Sequence, residues 1–129
     1  MKAEPVCPLA LLLACAIGLL ACGSNRSLQS VSVSPAFASS QAQFTATGIY
    51  NQMPTSVDIT GTTTWCFGSA NGMCVGFIEP GATVSSGLAQ CQRGFTGTVT
   101  ILAGQPGPMG NPDGGSQLKP FGAAQLTCP

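Results

Sequence analysis

The side chains able to do chemistry in this chain are cysteines and a few isolated carboxylates. The 129 residues include seven cysteines, four acidic residues and no histidine. Without an imidazole, neither a Ser-His-Asp nor a Cys-His nucleophile can form. Beyond the N-terminal region the carboxylates are Asp58, Glu79 and Asp113, which lie far apart in the sequence. We therefore expect no catalytic residue and no cofactor; a small hydrolase that pairs two carboxylates is the remote alternative.

The N-terminal region is organised like an export signal. Lys2 precedes an apolar stretch at residues 9–21, which is shorter than the roughly 20 residues that a membrane-spanning helix needs. The stretch ends in Leu19-Leu20-Ala21-Cys22, and this run resembles the lipobox of bacterial lipoproteins. The resemblance implies that residues 1–21 are a signal peptide and that the Cys22 thiol carries a lipid. The alternative is an ordinary signal peptide that is cut elsewhere.

A lipid on Cys22 makes a membrane the first expected partner of this protein. Two or three acyl chains anchor a protein stably. An Asp directly after the lipidated cysteine would resemble an inner-membrane retention signal, but this position is Gly23. The expected location is therefore the cell envelope, on the outer membrane, facing either the periplasm or the cell surface. Residues 22–27 then form a lipidated tether, and residues 23–27 reach at most about 20 Å at about 3.5 Å per residue.

Four further cysteines suggest an oxidising compartment and allow three disulfide connectivities. We favour Cys66 with Cys74, because the turn residues 68–72 between them can bring the two ends together. Cys91 with Cys128 would then fix a terminal strand to the body of the domain. A four-cysteine zinc site is the alternative, but zinc ligands usually occur in pairs about two to four residues apart. The wider gaps here favour structural disulfides and no metal.

The elements that must position these cysteines are short strands. From Leu28 onward, apolar and polar residues alternate with a period of two, and clusters of Gly, Pro and Asn separate the alternating segments. This pattern predicts an all-β domain of about seven to eight strands, either a sandwich or a barrel. The residues predicted to share a face are Val31 with Val33, Ala42 with Phe44 and Ala46, Val57 with Ile59, Thr63 with Trp65, Ala82 with Val84, Val99 with Ile101, and Ala124 with Leu126.

The order of the segments resembles the group 2 bacterial immunoglobulin-like domains. The resemblance is carried by residues 28–35 (LQSVSVSP), 43–50 (QFTATGIY), 57–60 (VDIT), 64–65 (TW), 82–88 (ATVSSGL) and 97–101 (GTVTI). It implies an immunoglobulin-like Greek-key sandwich over residues 28–128, with Trp65 as the core anchor between the sheets. An extra segment at 67–81 and a Gly/Pro-rich loop at 104–120 depart from the family pattern. Such domains occur in adhesins and surface proteins, so the resemblance also implies adhesion.

Composition narrows the expected partners. Charged residues make up 6% of the chain and its formal net charge is zero, so nucleic acid is not an expected partner. A binding surface is predicted at the apolar run 75–78, with Phe67 and Met73 beside it, and its contact residues would be Phe67, Met73, Phe77 and Ile78. The alternative is that the run forms another strand in the core. We therefore predict a non-catalytic, lipid-anchored envelope module for adhesion or for contact with a protein or carbohydrate. The alternative is a structural accessory subunit of an envelope assembly, joined through a free strand edge.

Overall fold

The computed structural model describes residues 25–76, 78–79, 81–107 and 116–129, with the backbone alone at 78 and 79. The predicted signal peptide, Cys22 and Phe77 lie outside these residues. Every regular element in the described part is a strand, which confirms the predicted all-β class. The strands are β1 (Leu28–Ser34), β2 (Phe37–Ser39), β3 (Gln41–Gln43), β4 (Thr45–Tyr50), β5 (Ser56–Asp58), β6 (Thr64–Gly68), β7 (Met73–Gly76), β8 (Ile78–Glu79), β9 (Ala82–Ser85), β10 (Leu88–Cys91), β11 (Gly97–Pro106) and β12 (Ser116–Cys128).

The pairing of these strands is consistent with a β-sandwich. One layer contains the sheets β1-β4-β5 and β3-β10-β9-β8, which the chain joins at Phe44 between β3 and β4. The other layer is the five-stranded sheet β11-β6-β7-β12-β2, in which β11 also pairs with β12. Because β1 pairs with β4 and β2 pairs in parallel with β12, the N-terminal segment crosses from one layer to the other.

The main core contains every second residue of strands from both layers. Side chains in a strand point alternately to opposite faces, so a period-two sequence buries one face. The buried members of the main core are Val31, Phe44, Ala46, Ile59, Trp65, Phe67, Ala82, Val84, Ala89, Ile101, Ala103, Ala124, Leu126 and Cys128. Trp65, the predicted core anchor, is 5% exposed, and its indole Nε1 donates a hydrogen bond to the Thr60 carbonyl oxygen at 2.9 Å. The indole therefore keeps its one donor satisfied within the core.

A second core lies on the opposite face of the five-stranded sheet. Its buried residues are Cys66, Leu102 and Leu118, with Cys74 and Phe121 packed against them. Cys66 and Leu102 each stand between two main-core neighbours in sequence, so they point the other way. β11, β6, β7 and β12 pair in a closed ring around this second core.

Glycines let the strands of this ring approach closely. A Cβ at Gly68 would collide with the Met73 carbonyl oxygen, and one at Gly104 would collide with the Pro120 carbonyl oxygen. Only glycine fits where another backbone comes so near. The second core thus depends on residues that sequence analysis assigns to turns and loops.

Two sequence-based boundaries differ from the structure. The predicted Gly/Pro-rich loop at 104–120 is shorter, because its first three residues belong to β11 and its last five belong to β12. The hairpin pairing continues as far as Pro106 opposite Leu118, since the loss of one proline N–H does not end a ladder,. The extra segment at 67–81 begins inside β6 and contributes β7 and β8. Ala42, Phe44 and Ala46, which were predicted to share a face, are divided between β3, the break at Phe44 and β4. The described part contains twelve strands, where about seven to eight were expected.

Candidate binding surfaces

Of the four side chains that were predicted to form a binding surface, the structure describes two, Phe67 and Met73. Phe67 is 1% exposed in the main core, so its prediction as a contact residue is wrong. The reason is the alternation of β6, which places Phe67 on the same face as Trp65. Met73 is half-buried in β7. Phe77 lies outside the described residues, and of Ile78 only the backbone in β8 is described.

Both predicted disulfides are confirmed. Cys66 is bonded to Cys74, with their Cα atoms 5.7 Å apart, and this bond borders the second core. Cys91 is bonded to Cys128, with a Cα separation of 5.6 Å, and joins β10 to the end of β12. The two bonds pair all four cysteines of the described part, so none of these four is left as a free thiol.

A cleft of about 220 Å³ opens beside the first disulfide. It is lined by Thr64, Cys66, Cys74, Val75, Gly76, Pro106, Ser116 and Leu118. None of these residues carries a titratable side chain, and Val75 at its rim is 65% exposed. The cleft is smaller than the roughly 300–1,000 Å³ of most small-molecule sites. Its chemistry suits a small apolar group and offers no acid or base.

A second surface surrounds Phe37, whose side chain is 74% exposed. Phe37 stands opposite Gln125 in the parallel β2–β12 ladder. We call this surface the Phe37 patch, and its hollow of about 270 Å³ is lined by Ala36, Phe37, Ala70, Thr100, Ala123, Ala124 and Gln125. An exposed aromatic side chain beside small apolar ones, with no charge among them, makes this surface a candidate for contact with a protein.

Residues 25–27, which sequence analysis places in the tether, are fixed to the loop between β4 and β5. The Asn51 amide nitrogen Nδ2 donates to the carbonyl oxygen of Asn25 at 2.9 Å, and Asn51 Oδ1 accepts from the backbone N–H of Ser27 at 2.7 Å. The backbone N–H of Asn51 also donates to the Ser27 carbonyl oxygen at 3.2 Å. One asparagine side chain thus holds two points of the incoming chain.

Arg26 extends the same attachment. Its guanidinium carbon lies 3.9 Å from the ring centroid of Tyr50, and its Nη2 donates to the Pro54 carbonyl oxygen at 2.7 Å. Cation–π stacking of this kind contributes about 0.5–1 kcal/mol at exposed sites. We call the contacts of residues 25–27 with Tyr50, Asn51 and Pro54 the N-terminal clamp. Its only signal in the sequence is a turn asparagine directly after a strand, which does not reveal a partner so far away in the chain.

The N-terminal clamp and the Cys91–Cys128 disulfide lie at opposite ends of the sandwich. Leu28 pairs with Tyr50 at the clamp end of the β1–β4 ladder. From Tyr50 the chain extends back through β4 and β3 to Gln41, which pairs with Gln90 next to Cys91. Nine residue steps at about 3.3 Å each separate the two ends by at most about 30 Å.

The electrostatics of the described part give no sign of acid–base catalysis at Asp58. Asp58 accepts hydrogen bonds from Thr60, and these hold the pKa of Asp58 below its ordinary value of 3.8. The bond from the Thr60 side chain has the larger effect, and the backbone N–H of Thr60, 2.9 Å from Asp58 Oδ1, has the smaller one. A general acid needs a pKa shifted the other way, toward neutrality. Asp58 therefore acts as an Asx-turn residue between β5 and β6. Among the described side chains, no group of three or more Cys, Asp or Glu residues is arranged to hold a metal ion.

Comparison with known proteins gives no identity for this chain. Neither models of protein families nor the sequences of curated proteins match it. In the described residues, no helix has the length and apolar character required to cross a bilayer.

Proposed function

We propose that this protein is a lipid-anchored module of the cell envelope that presents a non-catalytic β-sandwich for contact with another protein or a carbohydrate. The observation that carries the proposal is the N-terminal clamp. Cys22 closes the lipobox-like sequence, and the first clamped residue, Asn25, follows only three positions later. A lipid at Cys22 would therefore hold a folded domain directly at the membrane, rather than at the end of a long flexible linker.

The Phe37 patch supports a contact function for this anchored domain. β1 leads away from the N-terminal clamp for six residue steps, or about 20 Å at about 3.3 Å per residue, before the chain reaches Phe37,. An apolar patch at that distance is accessible to a partner beyond the lipid headgroups. The resemblance to group 2 immunoglobulin-like domains agrees with such a role, because those domains occur in adhesins.

The alternative role, an accessory subunit joined through a strand edge, has less support. β1, which has seven residues, also lies at the margin of its sheet, but it packs against β12 of the other layer. The shorter marginal strands β2, β3, β5 and β8 contain three, three, three and two residues. A partner strand added to any of them would gain few backbone hydrogen bonds.

The anchor is tested by measuring the intact mass of the protein extracted from its native membrane. We expect a chain that begins at Cys22 and carries the added mass of two or three acyl chains. Cys22→Ala should abolish both the added mass and membrane retention. The matched control is Cys15→Ala, which lies within the predicted signal peptide and should change neither. An unacylated mature chain would contradict the anchor.

The contact function is tested with a photo-crosslinking amino acid placed at Phe37 in living cells. We expect discrete adducts from position 37. The matched control is the same amino acid at Arg93, which is exposed near the Cys91–Cys128 end and should give none. Equal crosslinking from both positions would show that the Phe37 patch has no particular partner.

A further inference from the structure

We propose that the loop between β4 and β5, residues 51–55, docks on the headgroup region of the bilayer that holds the lipid. The sandwich then stands end-on, with the N-terminal clamp against the membrane and the Cys91–Cys128 end directed away from it. This inference rests on the proposed lipid anchor. It adds a defined orientation and a second point of membrane contact.

The length of chain before the N-terminal clamp fixes the distance. Successive Cα atoms are at most about 3.8 Å apart, so the three steps from Cys22 to Asn25 span at most about 11 Å. Asn25 is in turn held 2.9 Å from the Asn51 side chain. An acylated Cys22 lies at the membrane interface. The loop at 51–55 must therefore lie within reach of the lipid headgroups.

The clamp also restricts rotation about the anchor. Four hydrogen bonds and one cation–π contact join residues 25–27 to the β4–β5 loop and its flanking Tyr50. A free tether of six residues would let the domain sample many orientations, whereas a clamped one leaves only two residues between Cys22 and Asn25. The same end of the domain therefore faces the bilayer most of the time.

The side chains of this end suit a bilayer surface. Met53 is 82% exposed, the highest exposure among the large apolar side chains of the described part. Residues 50–55 contain no carboxylate that lipid phosphates would repel. Arg26 is a cation next to Tyr50, and aromatic and basic side chains are both enriched at membrane interfaces. Met53 is thus placed to enter the interface, and the positive charge of Arg26 lies at the same end of the domain.

The test uses the intact acylated chain in vesicles of phosphatidylethanolamine and phosphatidylglycerol that carry a nitroxide on the lipid headgroup. An environment-sensitive fluorophore is attached through Met53→Cys, with Phe37→Cys and Arg93→Cys as matched exposed controls. We expect nitroxide quenching at position 53 to exceed that at 37 and 93 several-fold. Equal quenching at the three positions of an acylated chain overturns the docking alone, whereas a chain without acyl mass overturns both the anchor and the docking.

Substitution of Asn51 tests whether the clamp sets the orientation. Asn51→Ala removes both side-chain hydrogen bonds to residues 25 and 27, and should lower the quenching at position 53 toward that at 37. Asn51→Asp keeps the acceptor for the Ser27 N–H but adds a carboxylate that anionic phosphatidylglycerol repels, so its quenching at position 53 should also be below that of the parent. The thermal unfolding midpoint of both variants should stay near that of the parent, because Asn51 is outside the cores. Undiminished quenching in a folded Asn51→Ala chain would overturn the role of the clamp.

Discussion

The side chains of the main core and of the second core are equally well buried, but the two cores are assembled in different ways. Phe44, Ile101 and Leu126 in the main core are fully buried, as are Cys66 and Leu102 in the second. The main core has fourteen buried members, contributed by strands of both layers, whereas the second has three. A core of three residues buries too little apolar surface to fold by itself. The second core therefore depends on the main core for its platform and on the Cys66–Cys74 disulfide for its closure.

Because of this difference, the two cores should respond differently to the loss of packing contacts. The main core is shared between layers, so a defect in it affects the whole sandwich. The second core is attached to one face of one sheet and borders the cleft at Val75. Local opening needs fewer lost contacts there, and such regions are the ones from which binding segments are usually drawn.

Truncation of one large side chain in each core should separate the two most clearly. Phe44→Ala should lower the free energy of unfolding by about 3–5 kcal/mol, because it leaves a cavity between the layers. Leu118→Ala should cost about 2 kcal/mol, the lower end for such a change, since the neighbouring cleft allows the site to relax. Urea unfolding measures both free energies.

Phe37→Ala, which truncates the same residue type at an exposed position, is the control and should change stability by less than about 0.5 kcal/mol. Equal costs for Phe44→Ala and Leu118→Ala would contradict the relaxation expected at the Leu118 site.

Removal of each disulfide should give the next largest effects. The Cys91–Cys128 bond closes a longer loop than Cys66–Cys74, with sequence separations of 37 and 8. Chain entropy predicts losses of about 3.9 and about 2.6 kcal/mol for the two pairs of Cys→Ala substitutions. In hydrogen exchange, loss of the Cys66–Cys74 bond should expose β7 selectively, while β4 and β11 stay protected. Uniform loss of protection from that variant would contradict a separately opening second core.

Acidification should give the smallest effect, and one that belongs to neither core. The lowered pKa of Asp58 means that its contribution to stability is present above its ordinary value of 3.8 and is lost as the pH falls through the still lower folded value,. Asp58 is fully exposed, so the change should be small. Asp58→Asn should show a smaller acid-induced drop in the unfolding midpoint than the parent. A larger drop in Asp58→Asn would contradict the assigned direction of the pKa shift.

Sequence periodicity predicted the main core well because each of its strands carries its own evidence of burial. Ala82 with Val84 and Ala124 with Leu126 were assigned to buried faces from local alternation, and the structure buries all four. Phe67 was misplaced because it was grouped with the apolar run at residues 75–78. Its position in β6 beside Trp65 is instead what decides its burial.

The candidate surfaces were only partly predictable. The N-terminal clamp joins residues that are 24 to 28 positions apart through side-chain and backbone groups common in any turn. The Phe37 patch forms because the chain changes layers after Pro35, which places Phe37 beside β12 and leaves its ring outside both cores. The local alternation of residues in the sequence shows neither where the chain crosses between layers nor which distant residues it contacts.

From the sequence alone follow the all-β class and most of the alternating residues of the main core, and the sequence favours, among three connectivities, the cysteine pairing that the structure contains. These features depend on local alternation and on loop lengths that short segments specify. The closed ring of β11, β6, β7 and β12 and the N-terminal clamp, in contrast, are visible only in the tertiary structure. Both depend on close approach between backbones distant in the chain, and such an approach is selected by the packing of the whole domain.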